Sequence, residues 1–153
     1  MPRLASIQAH GANPFFRGFR ESFATRHRMS AETIASAIRI GDPVSWDKAV
    51  SAIHDTLGVV EEVTDDEIMA AKRTIDGLGL GCEPASAATL AGVRKLRASG
   101  VMKEGERIVC VLTGHILKDP DANYRPENIV EIDSTIEAVE RELSTPSNVE
   151  AAG

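Results

Sequence analysis

The sequence predicts an α/β fold, a parallel sheet flanked by helices, and three observations predict it. Strand-like and helix-like stretches alternate along the chain. The run Ile108-Val109-Cys110-Val111-Leu112 has the unbroken apolar character of a strand covered on both faces. Only 4% of the 153 residues are aromatic, so Ala, Val, Leu and Ile must supply the packing between sheet and helices. At 42% hydrophobic and 26% charged the chain can bury one core of ordinary size, which excludes collagen, coiled coil and wholesale disorder.

The elements follow in order. Arg3 to Ala9 reads as a strand that begins almost at the first residue. Asn13-Pro14 opens a helix, because Asn can cap free amides and proline has no amide to leave unpaired at the first helical position. Phe16, Phe19 and Phe23 then line one helical face. Ser30 to Ile40 is helical in pattern and stops at Gly41-Asp42-Pro43. Ser45 can cap a helix that turns Trp46, Ala49, Val50 and Ile53 inward and ends at Gly58. Val59 to Val63 is a strand. Thr64-Asp65-Asp66-Glu67 is a capping box opening a helix to about Asp76.

Gly77-Leu78-Gly79-Leu80-Gly81 stops that helix. A short strand at Cys82-Glu83 passes into an alanine-rich helix from Pro84 to Ser99, ended by Gly100 and small enough in side chain to lie close on a sheet. Arg107 to Thr113 is the buried strand and Gly114-His115 breaks it. A strand at Ile129 to Ile132 and a helix from about Ser134 to Leu143 precede a tail, residues 144–153, with a disordered composition.

Charge is unevenly spread. Residues 1–30 hold five Arg against one Glu, while residues 119–153 hold two basic against nine acidic residues, in a chain of net charge -6. Such a chain is a poor polyanion binder. Arg17, Arg20, Arg26, His27 and Arg28 interleave with four phenylalanines in the manner of a nucleic-acid platform, but the helical spacing of the rings argues for core burial. No run approaches eighteen apolar residues and the N-terminus lacks a signal-peptide core, so a soluble cytoplasmic protein is expected, with neither membrane nor nucleic acid as partner. Cys82 and Cys110 sit in apolar runs and read as reduced, buried thiols. The spacings contain neither a zinc site nor a Ser-His-Asp triad.

In an open parallel sheet, ligands collect beyond the carboxyl ends of strands, so turns directly after strands are the candidates. Leu112-Thr113-Gly114-His115 is either a polar strand end with a glycine turn or a place where a ligand meets a hydroxyl and bare backbone. At Cys82-Glu83-Pro84-Ala85-Ser86, Glu83 either caps a helix or does chemistry. Ile40-Gly41-Asp42-Pro43 is either a helix stop or a site edge. The glycines from Gly77 to Gly81 fail as a phosphate cradle, since they follow a helix and precede a strand.

Four segments together resemble pyridoxal-phosphate-dependent threonine synthase. They are Cys82-Glu83-Pro84-Ala85-Ser86-Ala87-Ala88, the stretch Val109 to Pro120 containing Thr113-Gly114-His115, the stretch Ala37 to Trp46 similar to the family's AIRIGNPxSW, and Val63 to Ile68 similar to its VTDEEI. They occur in the family's order and span the chain to about residue 120. Two positions depart from it: Ile116 stands where the family usually has glycine, and Asp42 where it has asparagine.

The resemblance implies a fold-type II (tryptophan synthase β-like) enzyme, of which residues 1–143 would be the C-terminal portion of the cofactor domain. It implies that the Thr113 hydroxyl faces the pyridine nitrogen of pyridoxal phosphate, with Gly41, Glu83 and Ser86 bordering the cofactor. A hydroxyl can donate to an unprotonated ring nitrogen, whereas a carboxylate would hold it protonated and strengthen the electron sink. Related enzymes of this fold type place serine or cysteine there, so Thr113-Gly114-His115 favours threonine synthase over serine dehydratase or cysteine synthase.

Family members convert O-phosphohomoserine to threonine and phosphate, using a Schiff-base lysine in an SxKDR-like motif and a glycine-rich phosphate cup. The lysines here are at 48, 72, 95, 103 and 118, none in that motif. A single neutral hydrogen bond is worth about 1 kcal/mol net, too little to replace either requirement. The expectation is a chain inactive by itself that self-associates or depends on a complementary N-terminal chain. The competing expectation is a non-catalytic interaction or regulatory module docking through the Phe-Arg segment near residues 15–28, and a further one is part of a dehydratase-like lyase.

Overall fold

The computed structural model describes residues 1–122 and 129–144, and the chain divides into two compact units, 1–123 and 124–153. The first unit is an α/β layer structure. Its sheet has two strands, β1 (Ala5–Ala9) and β2 (Val59–Val63), which pair in parallel with Ala5 opposite Val59 and Ala9 opposite Val63. Around them stand α1 (Pro14–Arg20), α2 (Trp46–Asp55), α3 (Asp65–Gly77) and α4 (Pro84–Ala98). The second unit contributes α5 (Ile136–Ser144).

The period-two alternation of a strand puts Val60 and Val63 on opposite faces of β2, and each belongs to a different core. Val63 joins Ala9, Ile68, Ala71, Ile75, Ala87, Ala88 and Ala91, packed with α3 and α4. Val60 joins Phe15, Trp46 and Ile53 from α1 and α2, with Phe16, Phe19 and Phe23 against them. The alanine-rich helix does lie close on the sheet. A Cβ on Gly92 would come within 2.3 Å of the Ile7 side chain, so only a bare α-carbon fits between α4 and β1.

The capping box forms as expected: Thr64 Oγ1 accepts from Glu67 N at 3.2 Å and the Glu67 carboxylate accepts from Thr64 N at 2.7 Å. Gly79 ends α3 with φ +77°, its N–H bonded to Asp76 O and that of Leu80 to Ile75 O, so the glycine run is a helix stop. α2 ends in the same way, but the left-handed residue is Leu57 (φ 50°) and not Gly58, whose N–H returns to Ile53 O.

Several expectations are corrected. Ser30 to Ile40 is not an α-helix; only Ser36–Ile38 forms a 3-10 turn. Its backbone bonds go to distant partners, Glu32 N to Gly11 O and Ile34 N to Asp65, which outcompetes the local ladder, and Met29 N to Gly41 O ties the two residues flanking it together. α1 stops at Arg20, so Phe23 reaches the aromatic core from a left-handed turn (φ 60°) and Phe15, not Phe16, is the buried ring. Asn13, Ser45 and Glu83 precede helices without a side-chain cap bond. Asn13 instead donates to the Glu62 carboxylate and accepts from Arg17.

The largest correction concerns Arg107 to Thr113. No strand forms there or at Ile129 to Ile132, and Val109 and Val111 are 80% and 64% exposed. The expected strand at Cys82-Glu83 is reduced to a single bridge between Cys82 and His115. Cys82 is buried as expected, but Cys110 is only half-buried. The expected tail falls on residues outside those described, Ser144 excepted, which closes α5. Among the described residues no helix is long and apolar enough to cross a membrane.

Candidate active site

The site assembles from two chain segments that meet at the N-terminus of α4. An antiparallel bridge holds Cys82 against His115, and Glu83 N donates to Gly114 O at 3.1 Å. Pro84 starts the helix where a missing N–H costs nothing. These contacts bring together Glu83, Ser86 and Thr113, three of the four residues singled out in the sequence.

Ser86 is buried, and its Oγ accepts from Gly114 N at 2.9 Å. The same Oγ lies 3.3 Å from Thr113 Oγ1. Since Ser86 already accepts from the glycine amide, its own proton can point at Thr113 or, through a longer contact of 3.5 Å, at Gly114 O. Thr113 Oγ1 faces Glu83 Oε1 at 3.5 Å, well beyond the usual 2.7–2.8 Å of a strong hydroxyl bond. The side chain of Thr113 is exposed, so its hydroxyl keeps the capacity to donate to an acceptor arriving from outside.

Glu83 does not cap the helix. Only 2% exposed, its carboxylate lies beneath Gly114, where a Cβ would come within 2.0 Å of Oε1. A glycine is therefore required between Thr113 and His115 by the carboxylate beneath it. Among the described residues, the cation paired with Glu83 is Lys118 at 3.6 Å, on the rim of the site. His115 turns its Nδ1 to accept from Leu117 N, capping the 3-10 turn Ile116–Lys118. Ile116 is not among the non-glycine residues of positive φ, which are Ser22, Phe23 and Leu57, so the side chain at this position carries no backbone strain.

Gly41 stands apart. Its carbonyl accepts from Met29 N, and a Cβ there would meet Met29 O at 1.8 Å, so it is a close-approach glycine in its own loop. The segment before that loop is tied to the stretch after the site, where Ser36 Oγ donates to Asp119 Oδ2 at 2.7 Å. Asp42, in the same loop, pairs with Arg26 at 2.7 Å and Arg28 at 3.2 Å, which an asparagine could not do with charge.

One support escaped the sequence reading. Lys72 is buried and donates to Asp76 Oδ2 at 2.6 Å, while Asp76 Oδ1 accepts from Cys82 N at 3.3 Å. This pins the segment leading into Glu83 to the end of α3. The i,i+4 spacing of Lys72 and Asp76 was the available signal. Burial pushes the Cys82 thiol above its ordinary value of 9.0, reinforced by Asp76 and Glu83 and opposed by Lys72.

Comparison with known proteins identifies the family and the fold. Residues 2–114 match the family of pyridoxal-phosphate dependent enzymes. The chain is 43% identical over 142 residues to the threonine synthase of Methanosarcina acetivorans, covering 91% of this chain and 35% of that protein. It is 42% identical over 146 residues to the threonine synthase of Methanocaldococcus jannaschii, covering 94% of this chain and 36% of that one. The chain thus spans about a third of the length of the curated relatives it matches. Its backbone superposes on the crystal structure of threonine synthase from Escherichia coli with a TM-score of 0.62 at 17% identity, over 92% of this chain and 32% of that one, which is a likeness of fold.

Proposed function

The chain belongs to the pyridoxal-phosphate dependent enzyme family, and from that premise we propose that it supplies the ring-nitrogen side of a threonine synthase centre acting on O-phosphohomoserine. The observation that carries the proposal is the Thr113 hydroxyl, exposed and held only by long contacts to Ser86 and Glu83. The residues fit the cofactor. A pyridine nitrogen is a neutral acceptor, and Thr113 offers a donor whose proton is engaged only by the long contact to the Glu83 carboxylate at 3.5 Å.

The chain's own residues would act as a directed relay. Gly114 N–H donates to Ser86; Ser86 would then donate to Thr113, and Thr113 would turn its proton from the distant Glu83 carboxylate outward, each donor polarising the next. A hydroxyl in this place leaves the ring nitrogen unprotonated. Glu83, buried and paired with Lys118, holds the backbone at Gly114 and with it the position of the relay. When bound, the cofactor supplies the electron sink for eliminating phosphate and adding water to the unsaturated product.

The lysine that carries the cofactor and the loop that binds its phosphate are proposed to come from polypeptide outside these 153 residues. Of the lysines here, Lys72 is buried against Asp76, Lys95 lies with Glu61 and the Glu62 carbonyl, and Lys118 pairs with Glu83. These 153 residues alone are expected not to turn over, since none of the lysines at 48, 72, 95, 103 and 118 stands in an SxKDR-like motif.

The test is complementation. The chain is mixed with pyridoxal phosphate and a polypeptide bearing the SxKDR lysine and glycine-rich loop, and phosphate release from O-phosphohomoserine is followed. Release that falls at least tenfold with Thr113→Val and recovers with Thr113→Ser supports the reading. Release by the 153-residue chain alone, or no sensitivity to Thr113→Val, overturns it.

A further inference from the structure

The Thr113 hydroxyl has one proton and two directions for it. Outward, it meets an acceptor arriving from solvent; inward, it faces Glu83 Oε1 at 3.5 Å. Ser86 Oγ, at 3.3 Å, can donate to Thr113 in either case, so the direction is settled between the carboxylate and the outside. An ionised acceptor binds a hydroxyl about twice as strongly as a neutral one, and Glu83 is only 2% exposed, so water competes little for it. A bare carboxylate in this place would draw the proton inward and leave a lone pair of Thr113 facing the ring nitrogen, acceptor against acceptor.

Lys118 is placed to blunt that pull. Its Nζ lies 3.6 Å from the same Oε1, and among the described residues Thr113 and Lys118 are the polar side chains that reach this carboxylate. A cation beside an acceptor atom occupies its lone pairs and lowers its negative potential, which weakens it toward any third group. The Lys118 side chain is 60% exposed, so charge and not packing holds it there. The turn itself does not need the ammonium. Lys118 N donates to His115 O at 2.9 Å, Leu117 N to His115 Nδ1 at 3.2 Å, and Asp119 accepts from Ser36 at 2.7 Å.

We propose that Lys118 is a positioning residue for the ring-nitrogen contact: by occupying Glu83 Oε1 it keeps the Thr113 proton directed out of the chain, toward the cofactor. The proposal rests on the reading of Thr113 above and adds the residue that decides which way its hydroxyl points. Glu83 supplies shape beneath Gly114, and Lys118 cancels the charge that this shape brings with it.

The first arm of the test uses only the 153-residue chain. Neutron diffraction from deuterated crystals locates the hydroxyl deuteron of Thr113, which X-rays do not show. It is expected off the line to Glu83 Oε1 in the native chain, on that line in Lys118→Met, and off it again in Lys118→Arg. A deuteron on the line in the native chain, or in the same position in all three, overturns the proposal.

The second arm mixes the chain with the lysine-bearing polypeptide and pyridoxal phosphate labelled with nitrogen-15 in the ring. Lys118→Met is expected to lower phosphate release at least about tenfold and to move the ring resonance toward that of a pyridine nitrogen without a hydrogen bond, and Lys118→Arg to restore both. In a Glu83→Gln background, where an amide can donate to Thr113 and no charge needs cancelling, Lys118→Met should change release less than about twofold. An equal tenfold loss in both backgrounds overturns the proposal and assigns Lys118 to a direct contact with substrate. The two readings fail separately. Absence of phosphate release from every mixture refutes the synthase centre and leaves the deuteron to decide Lys118, while release that depends on Thr113, with the native deuteron on Glu83, refutes the role of Lys118 and leaves the centre.

Discussion

β2 and the run Ile108 to Leu112 are both five residues long, and the less apolar of the two is the strand. Val59–Val63 carries two glutamates, yet it pairs with β1 and buries Val60 and Val63. Ile108 to Leu112 has five apolar residues, yet it is unpaired and Val109 is 80% exposed. Strand propensity describes how well a side chain fits a half-buried pleated surface, so without a neighbouring strand there is nothing to fit. The difference lies in what stands beside each segment. β2 is enclosed by β1, α1 and α4, while Arg107 to Leu112 meets a cleft.

The contrast is sharpest in truncations of β-branched apolar side chains to alanine. Ile68→Ala, in the core beside β2, is expected to cost about 2–5 kcal/mol, whereas Val109→Ala should stay within about 0.5 kcal/mol, both read by urea titration. A comparable loss at Val109 would mean that the run is packed after all. Next in size is Gly114→Ala, which drives a methyl into the buried Glu83 carboxylate and should cost about 1–3 kcal/mol, loosening the hold of the 113–115 segment on α4. An unchanged midpoint would show that Glu83 can swing away.

Smaller effects stay within the packed body. Thr64→Ala removes the capping box and should cost about 1 kcal/mol without changing exchange at 107–112. Leu57→Gly relieves a left-handed leucine that is 81% exposed and should stabilise by about 0.5–1 kcal/mol, seen as a raised melting temperature. The least effect is with pH. The raised Cys82 value favours the neutral thiol in the folded chain, so its contribution is complete below about 9 and declines as pH climbs from there toward the raised value. Cys82→Ala should remove that alkaline slope in thermal melts, and an unaltered slope would assign it elsewhere.

Legibility followed locality. The Thr64 to Glu67 box, the Gly79 stop and the start at Pro14 are settled within one helical turn, and they stand where the sequence puts them. The Thr113, Ser86 and Glu83 cluster was approached through turns next to strands and through resemblance. What joins it, a carboxylate beneath Gly114, is a contact across about thirty residues that no spacing encodes. Ser30 to Ile40 was misread because Asp65 and Gly11, far off in sequence, claim its amides. Arg107 to Thr113 was misread for another reason: its apolar pattern describes a surrounding that these residues do not contain.

The exposed run also sets a limit on concentration. Ile108 to Leu112 has no charge and no proline, the composition of segments that stack into cross-β fibrils when left uncovered. The chain, with that run exposed, should precipitate above a threshold concentration, with the folding free energy of the body unaltered. Solubility would then be limited by that exposed run and not by the stability of the body.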